Sequence, residues 1–184
     1  MEDLITEPYL TNKVVVITGA AGFIGSHLVD KCLDLGAIVI GVDNFITGRR
    51  INLAHLQEQQ RFFLVEADVS TPTEQYLGPA LEQVQTILPE VQAIDVIFHL
   101  ASPASPPAYQ NQPIETYLVN SLGTHQLLTY LQSQFPAARL VFASTSEVYG
   151  DPLVHPQSED YWGNVNPNGL RSCYDESKRL GETI

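Results

Sequence analysis

The sequence predicts an α/β protein built on a doubly wound parallel sheet, with helices on both faces. Three observations predict it. Short apolar runs alternate with helical patterns five times along the chain. The first runs are apolar at successive positions, as strands buried on both faces require. A glycine-rich turn joins the first run to the first helical pattern.

The elements follow in order. "KVVVITG" (residues 13–19) is the first strand. "GFIGSHLVDKCLDLG" has helical spacing, with Ile24, Leu28, Cys32 and Leu35 expected on the buried face and Gly36 as the stop. "AIVIGVD" is the second strand, "RRINLAHLQEQQ" a short helix and "RFFLVEADV" the third strand. "TEQYLGPALEQVQTILPEV" is helical in part, with Leu81, Val84 and Leu88 in register. "DVIFHLAS" is the fourth strand. "PIETYLVNSLGTHQLLTYLQSQ" reads as one long helix opened by Pro113. "RLVFAS" is the fifth strand, a polar stretch runs from 145 to 171, and the last helix begins near Cys173.

Residues 1–12 read as an N-terminal extension and 13–184 as one domain. No cap, glycine or proline stops the last helix before Ile184, so the domain is expected to be truncated there, its C-terminal substrate-binding part missing.

At 44% apolar and 16% charged residues, the 184-residue chain is globular and not disordered. A formal charge of −12 argues against nucleic acid as a partner. No run of about 18 apolar residues predicts a membrane span. Cys32 and Cys173 have neither CxxC nor zinc spacing, so two free thiols and a cytoplasmic location are expected, with no metal. His99 ends a strand and is expected to be a satisfied core residue; Trp162 is expected to pack its loop.

"TGAAGFIGSH" carries Gly19, Gly22 and Gly25 between a strand and a helix, the setting of a dinucleotide-binding, Rossmann-type turn. Gly19 permits the turn, Gly22 the approach of a pyrophosphate and Gly25 close helix packing. The helix N-terminus then faces the phosphates. Asp43, ending the second strand, can accept two hydrogen bonds from a ribose and would repel a 2′-phosphate, which favours NAD. Arg49 and Arg50 weaken that preference. Asp68 and Val69 end the third strand, where Asp68 either lies beside the adenine or caps the next helix.

Tyr174 and Lys178 form YxxxK, one turn apart on the last helix. A nearby ammonium is expected to lower the phenol pKa and make it a general base for an alcohol proton. Ser144, Thr145, Ser146 and Glu147 follow the fifth strand, at the sheet edge where ligands bind.

This combination resembles the extended short-chain dehydrogenases/reductases that act on nucleotide sugars. "HLASPASPPAYQNQP", "ASTSEVYGDPLVHPQSEDYWGNVNP" and "RSCYDESKR" look like the UDP-glucuronate decarboxylases, also called UDP-xylose synthases, of the NAD-dependent epimerase/dehydratase family. The resemblance implies a lyase that forms UDP-xylose through a 4-keto intermediate, with NAD as cofactor, UDP-glucuronate as substrate and a homodimer as the assembly. It implies Thr145, Glu147, Tyr174 and Lys178 as catalytic residues. NAD would be held by Gly19, Gly22, Phe23, Ile24, Gly25, Asp43, Asn44, Phe45, Thr47, Gly48, Asp68, Val69, Leu100, Ala101, Ser102 and Ser144, together with Tyr174 and Lys178. Tyr109, Asn120, Ser146 and Arg171 would be substrate-side. Within the resemblance, dehydratases carry an Asp-Glu pair after the Thr and epimerases a pair like Ala-Thr; here the pair is Ser146-Glu147, which fits decarboxylation. A 4,6-dehydratase, a 4-epimerase and a non-catalytic NAD-binding module are the alternatives. With the uridine-binding half implied to lie beyond the last helix, the 184 residues alone are expected to be inactive.

Overall fold

The computed structural model describes residues 9–184. The N-terminal expectation for residues 1–8 lies outside the described residues. Residues 9–12 form a turn pinned to the domain by an Asn12 N–H bond to the Gly36 carbonyl at 3.0 Å.

Five strands form one parallel sheet in the order β3-β2-β1-β4-β5: β1 (Val14–Thr18), β2 (Ile38–Asp43), β3 (Phe62–Glu66), β4 (Val96–His99) and β5 (Arg139–Phe142). All residues of β1 and β2 are buried, as their unbroken apolar runs require. Alternate residues face opposite cores. Val14, Val16, Ile38 and Ile40 pack with Leu77, Leu81 and Val84 of α2 (Thr73–Ile87) and with Leu127 and Leu131 of α5 (Thr124–Gln134). Val15, Ile17 and Val39 pack on the other face with Val29 and Cys32 of α1 (Phe23–Asp34). The sheet is therefore doubly wound, and its strand order reverses between β1 and β4, where this architecture opens a crevice.

Three local features differ from the sequence reading. The buried face of α1 is Gly25, Ser26, Val29 and Cys32, while Ile24 is 67% exposed. The helix is turned by one position because Gly25 must sit against the glycine turn. The expected helix over 113–134 is continuous in direction but contains a π-helical turn. It runs as α4 (Pro113–Leu118), the π turn Val119–Gly123 and α5. A π turn fits an extra residue into the ladder and redirects the carbonyls around it. Here the Val119 carbonyl meets His99 Nε2 at 3.3 Å. The segment before it holds a short helix, α3 (Pro106–Asn111), that proline-rich spacing hid from the sequence reading.

The short helix after β2 is a 3₁₀ helix, Arg50–Leu56, whose buried Leu53 and Leu56 keep its three-residue period. After β5 come a 3₁₀ turn, Ser146–Tyr149, a long loop and α6 (Ser172–Thr183). Trp162 on that loop is 89% exposed, so it does not pack; only its backbone is held, its carbonyl accepting from Arg179 at 3.2 Å.

Candidate active site

The first cleft opens at the carboxyl ends of β1, β2 and β4. Gly19 turns the chain out of β1 with φ +72°, and a Cβ there would lie 2.8 Å from the Ala101 backbone nitrogen. A Cβ on Gly25 would lie 2.0 Å from the Gly19 carbonyl oxygen, so α1 reaches the turn only with glycine at that position. Gly22 is different: a Cβ there meets only the Gly19 oxygen, at 3.2 Å. That space opens towards the cleft, beside an α1 N-terminus that no side chain caps.

Asp43, only 6% exposed, organises both walls. One oxygen accepts from the Ala21 N–H and the other from the Phe45 N–H, each at 2.8 Å. A Cβ on Gly48 would lie 2.7 Å from the carboxylate, so the loop after β2 closes on Asp43. Asp68 makes a local turn, accepting from Ser70 N–H at 2.8 Å and Ser70 Oγ at 2.7 Å, and lies on the cleft wall with Val69. Asn44, Thr47, Leu100, Ala101 and Ser102 line the cleft as predicted, whereas Phe45, Gly48, Tyr174 and Lys178 are not among its lining residues. Ile46 and Glu115 also line the cleft and were missed by the sequence reading. Neither carries a motif; the loop after β2 and the position of α4 bring them in. Arg50 is taken up by Glu66 at 2.5 Å and lies 3.9 Å over the Phe45 ring, so that arginine is already engaged.

The residues fit a dinucleotide on three counts: a glycine gap that a methyl would fill, uncapped N–H groups at a helix start, and a buried Ser102 Oγ with no partner among the described residues. The Phe23 and Ile24 side chains are 79% and 67% exposed, while their backbone N–H groups belong to the uncapped start of α1, and Ser144 donates to Glu182.

His99 anchors the cleft floor. The Thr18 hydroxyl lies 2.7 Å from its Nδ1 and accepts the Ala101 N–H at 3.2 Å. Thr18 therefore donates to Nδ1, and Nε2–H donates to Val119. Complete burial holds the ring neutral, its pKa near 3, with Lys178 adding to the shift.

At the end of β5, Thr145 caps the 3₁₀ turn, its hydroxyl accepting from Glu147 N–H at 3.2 Å. Lys178 is 3% exposed; its Nζ donates to the Ala143 carbonyl at 2.8 Å and lies 5.9 Å from the Tyr174 ring centroid. The expected acidification of the phenol by this ammonium is absent here. Burial pushes Tyr174 above its ordinary pKa, while the Thr145 side chain and Arg171 act in the opposite direction. The ammonium points at a carbonyl, so helical spacing places the pair on one face without joining the two heads.

Burial also lowers Lys178, to about 8. Below pH 8 both folded and unfolded chains hold the proton, and the folded chain bears the whole cost of burying it. Between 8 and 10.5 the unfolded chain holds more protons, so stability rises with pH. The shift corresponds to at most about 3 kcal/mol, less the hydrogen bond to Ala143. Lys178→Met is therefore expected to stabilise the cofactor-free chain by roughly 1–2 kcal/mol at pH 7. Urea denaturation from pH 7 to 10.5 should show that gain shrinking.

A second cleft holds Glu147, Arg171 and Asp175. Arg171 pairs with Glu147, and its Nε lies 4.0 Å from an Asp175 oxygen. Ser146 is exposed beside them. Two expected substrate-side residues lie elsewhere. Asn120 is 0% exposed, and its amide donates to Ser177 Oγ at 3.1 Å, because the π turn directs it at α6. Tyr109 is 1% exposed and packs behind Tyr174.

A doubly wound sheet, a glycine turn at its switch point and a Thr/Tyr/Lys group at the end of β5 define a Rossmann-type short-chain dehydrogenase/reductase architecture. The chain belongs to the NAD dependent epimerase/dehydratase family, whose model matches residues 15–184. It is 51% identical over 170 residues to UDP-glucuronic acid decarboxylase 1 of Arabidopsis thaliana, covering 92% of this chain and 35% of that protein. It is also similar to the crystal structure of dTDP-glucose 4,6-dehydratase from Bacillus anthracis in complex with NAD: TM-score 0.69, 26% identity, 94% of this chain and 49% of that one. An epimerase structure from Methanothermobacter thermautotrophicus matches with TM-score 0.73 at 26% identity, over 96% of this chain and 47% of that one. The chain spans between 34% and 46% of the length of the curated relatives it matches.

Proposed function

We propose that these 184 residues supply the NAD site and the proton-transfer groups for decarboxylation of UDP-glucuronate to UDP-xylose. The observation that carries the reading is the grouping at the end of β5. The Thr145 side chain acts on the Tyr174 phenol, opposing the rise that burial imposes, while Glu147, next to Ser146 on the same turn, lines a second cleft with Arg171.

When bound, NAD⁺ would take the hydride from the sugar C4 as the 4-ketone forms and give it back at the end. Gly19, Gly22, Asp43 and Ser102 would hold it, with Asp43 selecting NAD over its 2′-phosphorylated form. Tyr174 takes the proton of the sugar 4-hydroxyl, with Thr145 hydrogen-bonded to the same oxygen. The resulting 4-keto sugar acid is a β-keto acid, so the C5–carboxylate bond breaks and its electron pair moves onto the ketone oxygen. Thr145 and protonated Tyr174 stabilise that enolate. A solvent proton would then add at C5, and return of hydride to C4, with the Tyr174 proton passing back to the C4 oxygen, would complete UDP-xylose after CO₂ has left. Ser146 lacks the acidity to expel a C6 hydroxyl, which sets this site apart from dehydration.

Exposed Ile114 and Tyr117 on α4 and Leu180 on α6 support a homodimer through these helices, which sedimentation equilibrium would detect. Cys32 and Cys173, both unpaired, support a reducing cytoplasm. Among the described residues, no helix is long and apolar enough to cross a membrane.

The test is a fusion of this chain at Ile184, in register, to the C-terminal portion of the Arabidopsis relative. It is incubated with NAD⁺ and UDP-glucuronate labelled at C6. Labelled CO₂ and UDP-xylose are expected. A fusion that binds NAD and converts a UDP-hexose to its 4-epimer or 6-deoxy product, with no CO₂ from the glucuronate, would overturn the reading.

A further inference from the structure

We propose that Tyr109 is a positioning residue whose ring fixes the orientation of the Tyr174 phenol. The two rings are stacked, with centroids 5.0 Å apart and planes within 10°. Such offset pairs contribute beyond their buried area. Tyr109 is 1% exposed, and its hydroxyl has no hydrogen-bond partner among the described residues. An unpaired buried hydroxyl costs about 1–3 kcal/mol, so the flat face of the ring, and not the hydroxyl, holds this contact.

The ring is itself fixed. Tyr109 N–H donates to the Ser105 carbonyl at 3.0 Å within α3, whose first turn carries Pro106 and Pro107. Its carbonyl lies 3.6 Å from the thiol of Cys173, the residue before Tyr174. The α3 backbone is thus tied to the α6 turn that bears the phenol. Tyr174 has to hold one rotamer for its oxygen to meet Thr145, and a plate on one face removes the alternatives. The other groups facing the phenol are Thr145 from the turn after β5, and Asp175 and Arg171 from the start of α6. Lys178 lies further off on the same helix.

The inference rests on Tyr174 as the proton-accepting group only for its consequence. The test reads the Tyr174 ring itself, so it can fail while that reading stands, and the reverse. The full chain is labelled with ¹³Cζ-tyrosine, and the Tyr174 resonance is assigned by its loss in Tyr174→Phe. Its ionisation midpoint is then compared in Tyr109→Phe, Tyr109→Leu and Tyr109→Met, the last keeping bulk without a flat face should leucine fail to fold. Tyr109→Phe, which removes only the minor upward push of the Tyr109 hydroxyl on Tyr174, is expected to lower the midpoint slightly and to melt higher. Leucine or methionine should lower the midpoint by about half a unit or more as water reaches the phenolate, and broaden the resonance. A folded leucine or methionine variant with an unchanged midpoint and linewidth would overturn the proposal. So would a Tyr109→Phe variant that shifts as far as those two, since the hydroxyl would then be the working group.

Discussion

Gly25→Ala is expected to unfold the nucleotide-binding half of the domain, whereas Gly22→Ala, three residues earlier, is expected to fold and lose its cofactor. The contrast follows from what a methyl would meet. At Gly25 it lies 2.0 Å from the Gly19 carbonyl oxygen and 3.0 Å from the Ala20 Cα, both backbone, so α1 must be displaced from β1. Val29 and Cys32 would leave the core with it. The cost is about 3 kcal/mol or more, the upper range for overpacking, because no side chain can rotate away. At Gly22 the only close atom is the Gly19 oxygen at 3.2 Å, a contact that a small shift relieves. The methyl instead occupies the approach of the pyrophosphate, and NAD affinity should fall roughly tenfold or more, equivalent to about 1.4 kcal/mol. Thermal denaturation by circular dichroism and NAD titration by calorimetry check both arms. A Gly25→Ala chain with unchanged melting would show that the turn is looser than described.

Tyr174→Phe should lower CO₂ release by the fusion protein about 10²–10⁴-fold, the range for loss of a general base. The ring, its stack on Tyr109 and its burial remain, so melting and NAD affinity should change little. The phenol pKa is raised by burial in the chain without cofactor, and the Thr145 side chain opposes the rise. Thr145→Val should therefore raise the Tyr174 midpoint further and slow turnover at neutral pH. A Tyr174→Phe fusion with near-normal turnover would remove the phenol from the reaction.

The sheet and the cofactor cleft were legible because their signals are local. Unbroken apolar runs placed all five strands, and the glycine spacing with Asp43 placed a cleft whose walls the Asp43 carboxylate ties together. His99 also read correctly, as an apolar-run histidine without metal partners, and its bonds to Thr18 and Val119 satisfy it in the core. The geometry around Tyr174 was less legible. Spacing put Tyr174 and Lys178 on one helical face, but Lys178 found a backbone carbonyl and the Phe142 ring, 4.6 Å from its centroid. A π turn is set by tertiary contacts and leaves no periodic signature, so the burial of Asn120 could not be read from the chain. Helix α3 was hidden by its prolines, and with it the stack that buries Tyr109. Loop exposure at Trp162 follows no sequence rule, since a large aromatic residue is ordinarily a packing signal.

The account stands on Tyr174 and the glycine-turn cleft sharing one ligand. The direct measurement is the ¹³Cζ resonance of Tyr174 during titration of the 184-residue chain with NAD⁺, followed beside calorimetry. The account predicts that the resonance moves in step with the heat of binding, and that Gly22→Ala suppresses both together. Saturable NAD⁺ binding that leaves the Tyr174 resonance where it was would separate the phenol from the cofactor and contradict the assignment.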